Sequence, residues 1–275
     1  MLGRDLRILL DSHQVFSFDI ADLDITQTDR IKEKLVELGA EVVVNCAAVT
    51  DVDGCEQELK QLALEVNGFA VGRLGELCAG MEIPLVHIST DYVFYGDTDI
   101  GYTEDDQPNP VNYYGYTKFV GEQLLLGKEI EGYQPNIRDG KLYIARVCWT
   151  YGEHGKNFVH TMLNLAQTAK ELRVVNDQFG KPSWTMDVSK QLKLLIETMP
   201  QPGVYHIANE GIVSRFEEAQ EIMRFKGIDI DVVPCDSNQM QKPAKRPYNT
   251  ALINTKLPPM RHWKEALQDY LASVD

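Results

Sequence analysis

The sequence predicts an α/β fold: a doubly wound parallel sheet with a smaller C-terminal lobe. Three observations carry that prediction. The apolar, β-branched runs are short and nearly continuous rather than alternating, as in strands covered on both faces. Segments of helical period separate them in β-α-β-α order, which favours parallel pairing through right-handed crossovers. After about residue 150 the rhythm changes to isolated helices with loops and short strands. This change divides the chain into residues 1–150 and a partly interleaved lobe, 151–275.

The elements follow in order. "MLGRDLRILL" places Leu2, Leu6, Leu9 and Leu10 at i, i+4, i+7 and i+8, one apolar stripe of a helix. "VFSFDI" (15–20) reads as a strand. In "TQTDRIKEKLVELG", Thr26 with Asp29 resembles a capping box, Ile31, Leu35 and Leu38 share a face, and Gly39 stops the helix. "EVVVNCAA" (41–48) is a strand, a helix covers roughly 61–79, and "PLVHIST" (84–90) and "LYIARVCW" (142–149) are further strands. The polar, glycine-containing stretch 127–141 reads as a surface loop. Beyond it, "KNFVHTMLNLAQ", "DVSKQLKLLIETM" and "FEEAQEIMRF" read as helices, and "LRVVND" and "GVYHIA" as short strands.

Composition excludes several function classes. With 44% hydrophobic residues, the 275-residue chain can bury a substantial core. A net charge of -14 repels phosphate backbones and anionic membranes, so nucleic acid and membrane surfaces are not expected partners. Five scattered cysteines form no CxxC pair, so no disulfide framework or metal site is expected. No apolar run approaches the ~20 residues of a membrane span, and no signal peptide opens the chain. The expectation is a soluble, cytoplasmic protein.

Three features carry chemistry. "HISTDYVF" ends a strand in Ser89, Thr90 and Asp91, at the carboxyl edge where open parallel sheets bind ligands; a strand end turning into solvent is the plainer alternative. In "YYGYTKFVGE", Tyr114 and Lys118 are four apart and share a helix face. A phenol of pKa ~10 is a poor acid-base catalyst until an ammonium stabilises its phenolate, which Lys118 is placed to do. An exposed pair on an ordinary helix is the alternative. Asp19, at a strand end, can accept from the adenosine ribose of a dinucleotide and would repel a 2′-phosphate, or can simply be a turn residue.

Together, "VVVNCAAVTDVDGCE", "VHISTDYVFYG", "GYTEDDQPNPVNYYGYTKFVGE", "RVCWTYGEHGKNFVHTML", "VVNDQFGKPS" and "GVYHIANEG" resemble the dTDP-4-dehydrorhamnose reductases, of the extended short-chain dehydrogenase/reductase group, across nearly the whole chain. The resemblance implies a Rossmann-like dinucleotide domain over 1–150, a substrate-binding lobe over 151–275, NADH or NADPH as cofactor, and a nucleotide-sugar substrate. A homodimer is also compatible with it. It implies Tyr114 as proton donor to the C4 carbonyl oxygen, Lys118 on the phenol and the nicotinamide ribose, and Thr90 on the same carbonyl. Asp91, Trp149 and Arg246 match substrate-contacting positions, with core packing the alternative for Trp149 and a solvated side chain for Arg246. Asp19, Asp24 and Ile25 match positions around the adenosine, and Ala48, Val49 and Thr50 the loop after a strand. Asn67 matches a helix asparagine near that loop, or serves a local hydrogen bond. Cys148 departs from the family's usual small or polar residue, and "RVCWTY" replaces the commoner "RTSWVY".

In that family the first helix follows a strand and a GxxGxxG turn. "MLG" matches the end of such a turn, which makes Gly3 its third glycine and predicts that a strand, expected between those ending at Asp19 and Thr90, and most of the turn are missing. Two other readings stay open: another nucleotide-sugar reductase, epimerase or dehydratase, and a non-catalytic subunit like the regulatory beta subunit of methionine adenosyltransferase. The dehydratases need an acid-base carboxylate pair that "STDYVF" lacks.

Overall fold

The structure, a computed structural model, describes residues 1–137 and 139–274. Helix α1 (Leu2–Leu9) and helix α2 (Thr28–Leu38) precede strand β1 (Val43–Asn45). Helices α3 (Lys60–Leu64) and α4 (Ala70–Gly80) are joined by one wide turn of π-helix, Glu65–Phe69, inside the single helix expected there. Strand β2 (Leu85–Thr90), helix α5 (Tyr113–Leu125) and strand β3 (Leu142–Val147) follow. Next come β4 (Thr150–Tyr151), α6 (Phe158–Ala166), β5 (Glu171–Val175), β6 (Phe179–Gly180), β7 (Ser183–Trp184) and α7 (Thr185–Thr198). The chain continues with β8 (Gly203–Ile207), β9 (Val213–Ser214), α8 (Arg215–Lys226), β10 (Asp231–Cys235) and α9 (Trp263–Ser273).

The main sheet is all-parallel, in the order β1-β2-β3-β8. Its strands read as continuous apolar runs because both faces are covered. One face sets Val86, Tyr143, Ala145, Tyr205 and Ile207 against Leu6 of α1, Leu10 at its end, and Val188, Leu192 and Leu195 of α7. The other sets Leu85, Leu142 and Ile144 against Ile31 of α2, Leu74 of α4 and Leu125 of α5. A further core, with Val159, Leu172, Ile222, Trp263 and Leu267, lies among α6, α8, α9 and β5, which pairs with β10. The chain crosses between these cores: β8 and α7, both beyond residue 150, build the first sheet and its covering layer.

Several expected elements change. Residues 15–20 form no strand; Phe16, Phe18 and Ile20 are 48%, 45% and 72% exposed, and the stretch has no ladder partner among the described residues. Apolar character alone makes no strand without a neighbouring edge to bond. The strand ending at Thr90 pairs directly with β1, so Val43–Asn45, and not a strand from the Asp19 region or an intervening one, occupies that side. The capping box at Thr26 is absent: α2 starts at Thr28 behind Gln27, while Thr26 donates through both its amide and its hydroxyl to Asp24, each 2.9 Å. The bond from the Thr26 amide to the Asp24 carboxylate closes an Asx turn, a competing use of such residues. Of the 127–141 loop, Arg138 lies outside the described residues; Ile130 and Tyr133 pair in a tight antiparallel bridge.

Candidate active site

Along the strands of the main sheet, one face turns from apolar to polar toward the carboxyl end. Asn45, His87, Ser89, Arg146 and His206 are all buried there, beneath the ends of β1, β2, β3 and β8. Buried polar groups need partners, and these have them. Arg146 forks onto Glu122 of α5 at 2.9 and 2.6 Å, Ser89 donates to Glu122 at 2.5 Å, and Asn45 meets His87 at 3.0 Å.

Helix α5 delivers two site residues onto this layer. Asn112 caps it by accepting the Gly115 amide at 2.8 Å, and its own amide donates to the Lys245 carbonyl at 2.9 Å. A Cβ at residue 115 would lie 2.1 Å from the Tyr92 carbonyl, so only glycine lets α5 approach the turn that follows Thr90. Tyr114 then stands edge-on to Tyr92, with ring centroids 5.9 Å apart. Lys118, only 2% exposed, donates to the Ile88 carbonyl at 2.7 Å and lies 3.3 Å from His87 Nε2.

Thr90 and Asp91 are buried rather than turned to solvent. The Thr90 hydroxyl accepts from the Tyr92 amide at 3.2 Å and donates to Asp91 at 3.0 Å. The other Asp91 oxygen accepts from Thr250 at 2.5 Å and Cys148 at 3.3 Å. Burial raises the Asp91 pKa even against these three donors. Burial likewise raises the Tyr114 phenol above its ordinary value, and the contact favouring its phenolate comes from Thr90, not from Lys118. Burial brings Lys118 down to about 8, while Glu122 and Cys46 favour its charged form.

Trp149 takes a left-handed φ of 43°, rare for a large side chain, and the guanidinium of Arg215 lies 3.4 Å from its ring centroid. Arg246 is not solvated: it bonds Asp53 at 2.9 Å and the Ala244 carbonyl at 2.8 Å. Burial would raise the Asp53 pKa, but Arg246 and the Ala244 amide bring it below the ordinary value. The charges of Arg215 and Arg246 both bear on Tyr92.

On the other side of α5, Val49 is held at both its backbone groups by Asn67, amide to Oδ1 at 2.8 Å and Nδ2 to carbonyl at 2.9 Å. Asn67 also donates to Thr117 at 3.0 Å, tying the Ala48–Thr50 loop to the helix that carries Tyr114 and Lys118. Gly3, in the first turn of α1, sits over Cys46; a Cβ there would lie 3.5 Å from that of Cys46.

The structure thus gathers Thr90, Asp91, Tyr114 and Lys118, with Cys148 and Thr250 joined through Asp91. Trp149 and Arg246 approach from the C-terminal half. Asp19 is elsewhere in kind: its carboxylate bonds the Ile20 amide at 2.7 Å in an exposed turn, and Asp24 is occupied by Thr26. Ile25 packs on the core with Leu35 and Leu77. Arg215, Thr250, His87 and Asn45 were not legible as site residues. Asn112 was missed as well, although an asparagine directly before a helical run is a capping signal that could have found it.

The chain matches, over residues 1–275, the model of the family described as the RmlD substrate binding domain. It is 38% identical over 284 residues to a dTDP-4-dehydrorhamnose reductase of Mycolicibacterium smegmatis, covering 100% of this chain and 83% of that protein. Among solved structures it is similar to dTDP-4-dehydrorhamnose reductase of Bacillus anthracis in complex with NADP, with a TM-score of 0.91, 31% identity, and 99% and 95% of the two chains covered. A Clostridium acetobutylicum orthologue of the same reductase gives a TM-score of 0.89 at 37% identity, with 99% and 95% covered.

Proposed function

Because this chain belongs to the RmlD substrate-binding-domain family, we propose that it reduces the C4 ketone of dTDP-4-dehydro-L-rhamnose to dTDP-L-rhamnose with NADPH or NADH. The observation that carries the reading is the convergence of Thr90, Tyr114 and Lys118 at the carboxyl end of β2, on a buried polar layer that fixes their positions.

The residues present form part of a dinucleotide site. The Ala48–Thr50 loop, clamped by Asn67, flanks the end of β1, and Lys118 lies at the adjacent strand end. The nicotinamide, when bound, supplies the hydride that C4 receives. The chain's own groups manage the oxygen. The Tyr114 hydroxyl gives its proton to the carbonyl oxygen as negative charge develops there, and the Thr90 hydroxyl steadies the same oxygen. Burial keeps Tyr114 protonated across neutral pH, which suits a proton donor. Lys118 holds the nicotinamide ribose.

The substrate's diphosphate calls for cations in a chain of net charge -14. Arg215 and Arg246, whose charges both reach Tyr92, are the cations proposed for it, and Trp149, stacked against the Arg215 guanidinium, lies beside the sugar. On this reading residues 151–275 form the substrate lobe, and the protein works in the cytoplasm, where it forms a homodimer. Within the described residues no helix is long and apolar enough to cross a membrane.

The test supplies the full chain with dTDP-4-dehydro-L-rhamnose and follows loss of reduced-nicotinamide absorbance with each cofactor. Turnover that Tyr114→Phe abolishes, with cofactor binding retained, is the expected result. Wild type and variant equally slow would overturn the catalytic assignment and favour a non-catalytic role for the scaffold.

A further inference from the structure

Trp149 lies between β3 and β4 with a left-handed φ of 43°, a conformation that a bulky side chain keeps only where its surroundings over-determine it. Two groups press on this half-buried residue. At Gly180 of β6 the backbone is bare, and a Cβ there would lie 2.5 Å from the indole. The guanidinium carbon of Arg215 lies 3.4 Å from the ring centroid. An edge-on guanidinium would drive a nitrogen about 1.3 Å deeper, into the ring, so the two planes lie face to face. One ladder delivers both groups. Gly180 pairs with Val213 and Phe179 with Ser214, so Arg215 is the first residue beyond the β6–β9 pairing, and its amide donates to the Gln178 carbonyl at 3.1 Å.

Arg215 is itself anchored. It opens α8 directly behind Ser214, whose capping box with Glu217 fixes the backbone there. Its Nη1 donates to Glu218 at 2.8 Å, with the two side chains 16% and 1% exposed. Glu218 Oε1 has no hydrogen-bond partner among the described residues, which leaves Arg215 to compensate the buried carboxylate. The Phe158 ring, 4.6 Å from the same guanidinium carbon, confines it further. From this packing we infer that Arg215 is a positioning residue: tied to Glu218, it holds the Trp149 indole in its strained pose as a fixed wall for the sugar.

This role rests on the proposed reductase reading, which sets Trp149 beside the sugar, and it adds to the charge that the same reading gives Arg215. Charge and plane are separable. A lysine supplies the charge and can pair with Glu218 one turn on, but it has no flat face to lay on the indole. The place is close to the reacting end, since the Arg215 charge reaches both Asp91 and Tyr92. A wall ordered before the ligand arrives removes the cost of ordering it from binding.

Calorimetric titration of the full chain with dTDP and with dTDP-L-rhamnose separates plane from charge. Arg215→Lys should leave dTDP affinity within about twofold and weaken dTDP-L-rhamnose about tenfold, the loss of one good stacking contact. In a Trp149→Ala background the same lysine should cost neither ligand, because no indole remains to be held. In turnover, KM for dTDP-4-dehydro-L-rhamnose should rise while cofactor KM stays unchanged. A readout without ligand comes from 5-fluorotryptophan: a soluble nitroxide should broaden the Trp149 19F resonance, assigned with Trp149→Phe, more in Arg215→Lys than in wild type. Equal weakening of both ligands by the lysine overturns the inference, and so does a loss that is the same with and without the indole. Should the lysine variant not fold, a wild-type Trp149 resonance as open to nitroxide as free 5-fluorotryptophan overturns it alone. Wild type that binds neither ligand would overturn the functional reading, whereas missing contrast between the ligands with turnover intact overturns this inference only.

Discussion

Arg146 and Glu122 bring full charges to the floor of the site with 2% and 0% of their side chains exposed. The fork between them, the Ser89 hydroxyl on Glu122 and the Phe94 ring under the guanidinium at 4.9 Å together meet the demand that burial makes. Removing one partner leaves the other charge without compensation. Glu122→Gln is therefore expected to lose about 3–5 kcal/mol of stability, while the double change Arg146→Met with Glu122→Leu should lose clearly less. Urea midpoints of the two proteins decide it; equal losses would mean that the charge pair is not what the core depends on. The pair also shows what a sequence hides. Tyr114 and Lys118 were readable because one helical turn fixes their relation, whereas Glu122 and Arg146 sit 24 residues apart on a helix and a strand and meet only through packing. Arg246 was readable as a cation but not as one paired to Asp53, a partner 193 residues away.

Helix α5 meets the π-turn Glu65–Phe69 at bare backbone. A Cβ at Gly121 would lie 2.3 Å from the Asn67 carbonyl, and Asn67 is the residue that clamps the Ala48–Thr50 loop. Gly121→Ala must push these two elements apart, with an overpacking cost of about 1–3 kcal/mol. Because the displaced turn carries the clamp, the variant should also bind the dinucleotide more weakly, with cofactor KM rising more than kcat falls. Denaturation with steady-state kinetics would check both halves, and a destabilised variant with unchanged cofactor KM would disconnect Asn67 from the loop's role. At this scale the sequence told existence better than extent. β2, β3, β8 and helices α6, α7 and α8 stand where their patterns put them, since period and turn residues are local signals, whereas α9 went unread. The π-turn left no mark in the pattern, and 15–20 failed as a strand because a strand needs an edge to join.

Protons couple the cores of the whole molecule to pH in opposite senses. Burial and the neighbouring Arg146 bring His206 down to about 4, so the unfolded chain binds more protons between about pH 4 and 6.5, and folding gains stability as pH rises through that window. Asp187 and Glu104 act the same way lower down: despite burial, their hydrogen-bond donors hold both below the ordinary carboxylate value, and their contribution is lost as acid protonates them in the folded state. Glu218 of α8 runs against them. It is fully buried with Oε1 unpartnered, and burial raises its pKa from 4.5 to about 7 even against the hydrogen bond and charge of Arg215. A carboxyl raised in the folded state favours folding while protonated and loses that advantage as pH climbs from 4.5 to about 7, a cost of about 3 kcal/mol once ionised. Glu218→Gln cannot ionise, and its effect is isolated by subtracting wild-type stability at each pH, because the other groups cancel in the difference. That difference should shift toward the variant by about 2–3 kcal/mol between pH 5 and pH 8, nearly all of it spread evenly over pH 5 to 7. A difference flat with pH in urea titrations would show that Glu218 ionises in the folded chain as easily as in water, and that Arg215, stacked on Trp149 over the site, already satisfies its charge.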